Sequence, residues 1–125
     1  MKILVSKLVE AHSYIDKFSD MTNIVNEMSD KEKSLVEHIV EKIDEKILED
    51  SDEQTGLIEL DLENKVRLLA TIYNKSSDIL LYPKEMREGY IQRWSDNLGL
   101  EDFVIRKCLV MGADKIESII NIHDV

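Results

Sequence analysis

The sequence predicts an all-α fold: a compact bundle of about five helices in a single domain over residues 1–125, with at most one short extended segment. Three observations carry this expectation. Apolar residues recur at alternating steps of three and four, which places them on one face of a helix. Helix starts and stops are written locally, most clearly at Ser29-Asp30-Lys31-Glu32 and at Gly99. The composition suits rods packed around a core, since 43% of the residues are hydrophobic, 34% are charged, and one Pro and four Gly leave few interruptions. The same figures exclude a disordered chain and a collagen-like or low-complexity one.

The first helix rests on Leu4, Leu8, Ala11, Ile15 and Phe18. A shorter periodic piece, Met21, Ile24, Val25 and Met28, either continues it or forms a separate turn near Ser19 and Asp20. Ser29 and Glu32 have the spacing of a capping box, in which each side chain accepts from the other's backbone N–H. The helix that starts there runs to about Asp50, with Val36, Val40, Ile43 and Ile47 as its stripe and Leu35, Ile39 and Leu48 widening it. Residues 50–56 hold no apolar side chain and read as a solvated loop ending at Gly56.

Residues 57–62 read two ways, as a short strand with Glu59 and Asp61 exposed or as the opening of the next helix with Asp61 as its cap. A helix from about 61 to 74 is the favoured reading, on Leu62, Val66, Leu69, Ile72 and Tyr73. Residues 74–78 read as a break, and 79–82 as a brief extended run. Pro83 disfavours helical angles at Tyr82 and suits the first turn of a new helix. That helix carries Met86, Tyr90, Ile91 and Trp94 and stops at Gly99. Glu101 and Asp102 favour a last helix start, because negative charge suits a helix N-terminus. Phe103, Ile105, Leu109 and Val110 follow, Gly112 ends or interrupts the helix, and Ile116, Ile119 and Ile120 continue the pattern. The expected core is Leu8, Ile15, Val36, Val40, Ile43, Ile47, Val66, Leu69, Ile72, Tyr90, Trp94, Phe103, Ile105 and Leu109.

Charge narrows the function. The formal net charge is −10. Residues 1–60 hold seven Lys/Arg against fifteen Asp/Glu, so nearly all of the excess lies in the first half. Such a surface is repelled by phosphate backbones, which makes direct nucleic-acid binding an unfavoured expectation, and it attracts basic protein surfaces. One Cys excludes an internal disulfide. No apolar run approaches the length of a membrane helix. Lys7 and Glu10 interrupt the N-terminal apolar run, so an amphipathic helix is expected rather than a signal peptide, and with it a cytoplasmic protein.

Catalytic and metal-binding patterns are sparse. Cys108 lies on a helical stripe between Ile105 and Leu109, where a buried, inert thiol is the ordinary outcome. His12, His38, His123 and Cys108 lack ligand spacing. Glu41 and Glu45 stand four apart, but Lys42 and Lys46 dilute their field. The four glycines are isolated and form no phosphate loop. No enzyme activity, cofactor or metal is therefore expected.

Residues 78–113 run as a short strand candidate, Pro83, an amphipathic helix, a Gly99 turn and a second helix ending near Arg106, Lys107 and Gly112. This order resembles a ribbon-helix-helix module, a small dimeric DNA-binding fold whose paired strands enter the major groove. The resemblance implies a dimeric DNA-binding regulator. The strand candidate, however, offers no Lys or Arg, and residues 84–107 balance five basic against five acidic side chains.

The expectation for function is a non-enzymatic interaction or regulatory protein that binds another protein through an acidic face. One concrete form is a small inhibitor that occupies a basic surface. The candidate residues are Glu41, Asp44, Glu45, Glu49, Asp50, Asp52 and Glu53. The Val36/Val40/Ile43/Ile47 seam also has the spacing of a helix dimer, which admits a homodimer. Trp94 is expected in the core, with an interface anchor as its alternative.

Overall fold

A computed structural model describes residues 2–15 and 20–123. Phe18 and Ser19, which figured in the expected first helix and its end, lie outside the described residues. Among those described, the chain forms helices α1 (Lys2–Glu10), α2 (His12–Ile15), α3 (Thr22–Glu27), α4 (Asp30–Asp50), α5 (Leu62–Leu81), α6 (Lys84–Leu98) and α7 (Asp102–His123), with no strand. The all-α expectation holds, with more and shorter N-terminal pieces than five helices imply.

The local signals work as elementary chemistry requires. Ala11 joins α1 to α2 through Ala11 N donating to Lys7 O and Tyr14 N donating to Ala11 O, both at 3.0 Å. Leu4, Leu8, Ala11 and Ile15 are wholly buried. The next piece, α3, is separate: the Asp20 carboxylate accepts from Thr22 N at 2.8 Å and from the Thr22 hydroxyl. The box at α4 is complete, with Ser29 N donating to Glu32 Oε1 at 2.9 Å and Glu32 N donating to Ser29 Oγ at 3.1 Å. Asp61 caps α5 by accepting from Asn64 N at 2.8 Å. Gly99 ends α6 at φ 70° and ψ 30°, a left-handed cap whose N–H returns to Ser95 O at 2.9 Å.

Helix α5 is the centre of the molecule, and every other described helix packs on it. Its buried side chains lie all round its axis: Val66, Leu68, Leu69, Ala70, Ile72 and Ile79 among the apolar ones, and Lys65, Arg67, Thr71 and Ser76 among the polar. Buried apolar side chains from α1 to α7 join in one cluster around it.

Several expectations are corrected. Residues 74–78 are not a break, because α5 continues to Leu81. The Asn74 side-chain amide donates to Ala70 O and to Leu8 O of α1, both at 2.8 Å. Ser76 is buried and Ile79 is fully buried, so the tertiary surroundings satisfy residues that would favour a turn in isolation. Residues 79–82 are not an extended run: 79–81 close α5, and only Tyr82, at φ −64° and ψ 151°, is extended ahead of Pro83. The residues of the strand candidate up to Leu81 are thus helical, and α6 and α7 follow in the order the sequence predicts. Residues 57–60 form a turn rather than a strand, closed by Leu60 N donating to Leu57 O at 3.3 Å. Tyr90 and Phe103 are half-buried rather than core, while Val104 and Cys108 take core places on α7. Tyr90 flanks the core instead, stacked on Trp94 at 6.3 Å between ring centres and covered by the Arg93 guanidinium at 5.1 Å. Met86 and Val110, read as part of apolar stripes, are exposed.

Gly112 interrupts α7 at φ 66° and ψ −177°, a backbone region that essentially only glycine occupies. A Cβ there would also meet Ser76 Oγ at 3.6 Å, which is ordinary contact, so conformation rather than space sets the requirement. Gly89, inside α6, has open space around its missing Cβ. Gly112→Ala is expected to destabilise the protein by about 1–3 kcal/mol in urea denaturation, whereas Gly89→Ala is expected to stabilise it by about 0.5–1 kcal/mol.

Candidate functional site

The acidic segment expected to bind a partner occupies the C-terminal half of α4 and the loop leading to α5. Glu41, Glu45 and Glu49, four residues apart, form one exposed row along the helix, and Asp50, Asp52 and Glu53 continue the exposed charge into the loop. Lys42 Nζ meets Glu45 Oε2 at 3.4 Å and Lys46 Nζ meets Glu49 Oε2 at 3.0 Å, both as exposed i,i+3 pairs. Lys107 of α7 reaches Asp50 at 3.8 Å. Pairs this exposed contribute little to stability, and their lysines are readily exchanged for a partner's cations.

Asp44 departs from the expected set. It is buried, and its carboxylate accepts from the Thr55 hydroxyl. Its position on α4 turns it inward beside Ile43 and Ile47, so it holds the loop rather than facing a partner. The Thr55 oxygen in turn accepts from Leu57 N at 3.1 Å. Leu57 is fully buried, and Gly56, at φ 78°, lies so close to Leu100 that a Cβ would come within 3.3 Å of its side chain. A loop of polar residues is thereby fixed against the core at three successive positions.

Two exposed apolar side chains stand within this acidic region. Leu48 of α4 and Ile58 of the turn line a cavity of about 210 Å³ together with Asp44, Gln54, Thr55, Gly56 and Glu59. The helical spacing places Leu48 in the buried stripe, and Ile58 falls in the segment that reads as either strand or helix. The signal that could have singled them out is their position beside a run of carboxylates. A second groove, of about 530 Å³, lies between α4 and α7 and is lined by His38, Lys42, Lys46, Lys115, Ile119 and Ile122, with Glu45 and Glu49 on its wall.

The helix-dimer seam is corrected. Val36, Val40, Ile43 and Ile47 are buried within the chain itself and present nothing to a second copy. Trp94 lies in the core, 1% exposed. On the other candidate module, Arg106 is bound by Glu88, whose carboxyl it holds below the usual carboxylate range, and Lys107 faces Asp50. Cys108 is buried, and burial pushes its thiol up to about 12. Among the described residues, no group of three or more His, Cys, Asp and Glu side chains is arranged to hold a metal ion, and no helix is long and apolar enough to cross a membrane. No family model matches the chain, and no curated protein or solved structure matches it significantly.

Two outcomes follow from these placements. Asp44→Ala strands the buried Thr55 hydroxyl and should cost about 1–3 kcal/mol in denaturant unfolding, while Glu45→Ala, on the exposed row, should stay within about 0.5 kcal/mol of the parent. Cys108 should resist alkylation by iodoacetamide at neutral pH in the folded protein and react fully once the chain is unfolded, as mass spectrometry would show.

Proposed function

We propose that this protein works by binding another protein, with the exposed carboxylates of α4 and the α4–α5 loop meeting a basic surface. The observation that carries this reading is the arrangement of Glu41, Glu45, Glu49, Asp50, Asp52 and Glu53, all exposed along one helix row and its continuation. They stand on a scaffold whose loop is fixed by buried Thr55 and Leu57. A fixed array of charges binds with less ordering cost than a mobile acidic tail. It also speeds encounter with a positive partner and disfavours negative ones.

The concrete form is a regulatory inhibitor. By covering a basic surface, such as one that contacts nucleic acid, the acidic face would compete with that surface's own ligand. The carboxylates match the phosphates of such a ligand in sign, and the helix supplies them at a regular 1.5 Å rise per residue, about 6 Å between successive members of the row.

The test is affinity capture with the natural chain and with Glu41→Lys/Glu45→Lys/Glu49→Lys, followed by titration of the captured partner over a range of salt. The triple variant should bind at least roughly ten-fold more weakly, with a flatter salt dependence. Equal affinity in the two proteins would remove the acidic face from the binding reaction.

A further inference from the structure

The acidic end of α4 carries a feature that charge attraction alone does not require. Leu48 is 41% exposed and Ile58 is 50% exposed, and the two line one cavity of about 210 Å³. That is smaller than the roughly 300–1,000 Å³ of small-molecule sites, and suits a single side chain rather than a whole ligand. Its base is held rigidly. The Thr55 hydroxyl bonds buried Asp44, Leu57 N bonds Thr55 Oγ1 at 3.1 Å, and Gly56 abuts Leu100.

The surroundings fix the chemistry of the occupant. Glu59 lines the cavity, Glu49 follows Leu48 on the helix, and Asp52 and Glu53 lead into Gln54, all of them exposed. The one Lys between positions 44 and 59 is Lys46, and it is held by Glu49 at 3.0 Å. An anionic ligand, a negatively charged lipid surface or a second copy of this chain, with its net charge of −10, would meet repulsion at this rim. A segment rich in Lys or Arg would not.

We infer that the Leu48–Ile58 cavity receives one apolar side chain from a basic segment of a partner protein, so that the partner's recognition element is a run of Lys/Arg carrying a single aliphatic or aromatic anchor. This rests on the acidic-face function proposed above and adds what that reading lacks, a means of choosing among basic surfaces. Charge gives rapid encounter and little selectivity, whereas an anchor in a preformed cavity supplies a contact that only a matching segment makes.

The experiment uses a short lysine-rich peptide with one central leucine and its counterpart with serine in that place. Both are titrated into the full chain at low ionic strength by calorimetry, with methyl NMR of the protein alongside. The leucine peptide should bind roughly ten-fold more tightly, and the methyl signals of Leu48 and Ile58 should shift with it. Leu48→Ser/Ile58→Ser should abolish the difference while leaving affinity for the serine peptide unchanged. Equal affinity of the two peptides, with unmoved Leu48 and Ile58 methyls, would overturn the anchor and leave the acidic face standing. Failure of both peptides to bind would remove the anchor and the acidic-face function together. A dimer of the natural chain in sedimentation that dissociates in the double variant would overturn the inference in favour of a second copy as occupant.

Discussion

Helix α5 is enclosed by every other described helix, and yet its buried positions include Lys65, Arg67, Thr71 and Ser76. Taking a charge out of water without a partner costs several kcal/mol, more than a small domain can spare. Counter-charges and acceptors therefore have to reach particular places, either from a neighbouring helix or from α5 itself. Glu37 of α4 meets Lys65, Asn64 Oδ1 accepts from Arg67 Nη1 at 2.8 Å, and Glu63 lies 3.5 Å from the same guanidinium. Glu63 also accepts from Met21 N at 3.0 Å, so one carboxylate settles both the Arg67 charge and the entry to α3. The Thr71 hydroxyl donates to Arg67 O at 2.9 Å. Burial of Lys65 and Arg67 is thus tied to the placement of α4, through Glu37, and of the start of α3, through Met21 N.

The acidic excess is divided by this arrangement into carboxylates that build the fold and carboxylates left for the surface. Glu32, Glu37, Asp44, Asp61 and Glu63 each serve a cap, an ion pair or a fixed loop. Glu41, Glu45 and Glu49 lie on the same α4 yet turn outward, and two of them hold only neighbouring exposed lysines. A single helix therefore carries both kinds, one residue apart at Asp44 and Glu45. The difference follows from 3.6 residues per turn, since adjacent positions point about 100° apart.

This division also explains what the sequence made legible. The capping box at Ser29, the Asp61 cap and the Gly99 stop depend on residues within a few positions, and all three stand as the spacing predicts. Leu4 and Leu8 of α1, Val36, Val40, Ile43 and Ile47 of α4 and Val66, Leu69 and Ile72 of α5 are buried as their spacing predicts, for the same reason. The continuation of α5 through residues 74–78 depends on Leu8 O, 66 positions away, and no local pattern encodes it. The candidate face is similarly mixed. Its exposed row follows from helical period, but Asp44 turns on a hydrogen bond to Thr55 eleven positions on, across a loop of unforeseen course. Leu48 looked like a core residue because hydrophobicity alone does not tell the edge of a stripe from its middle.

The position of α5 also sets how this protein comes apart. No described helix leaves the assembly without uncovering some of α5, so partial openings are all penalised through the same buried surface. Amide protons along the middle of α5, from Val66 to Ile72, then exchange with solvent only when the whole structure opens. Helix α4 packs on α5 through its inner side and its loop is tied to the same core, so the interaction face keeps its shape for as long as the centre holds.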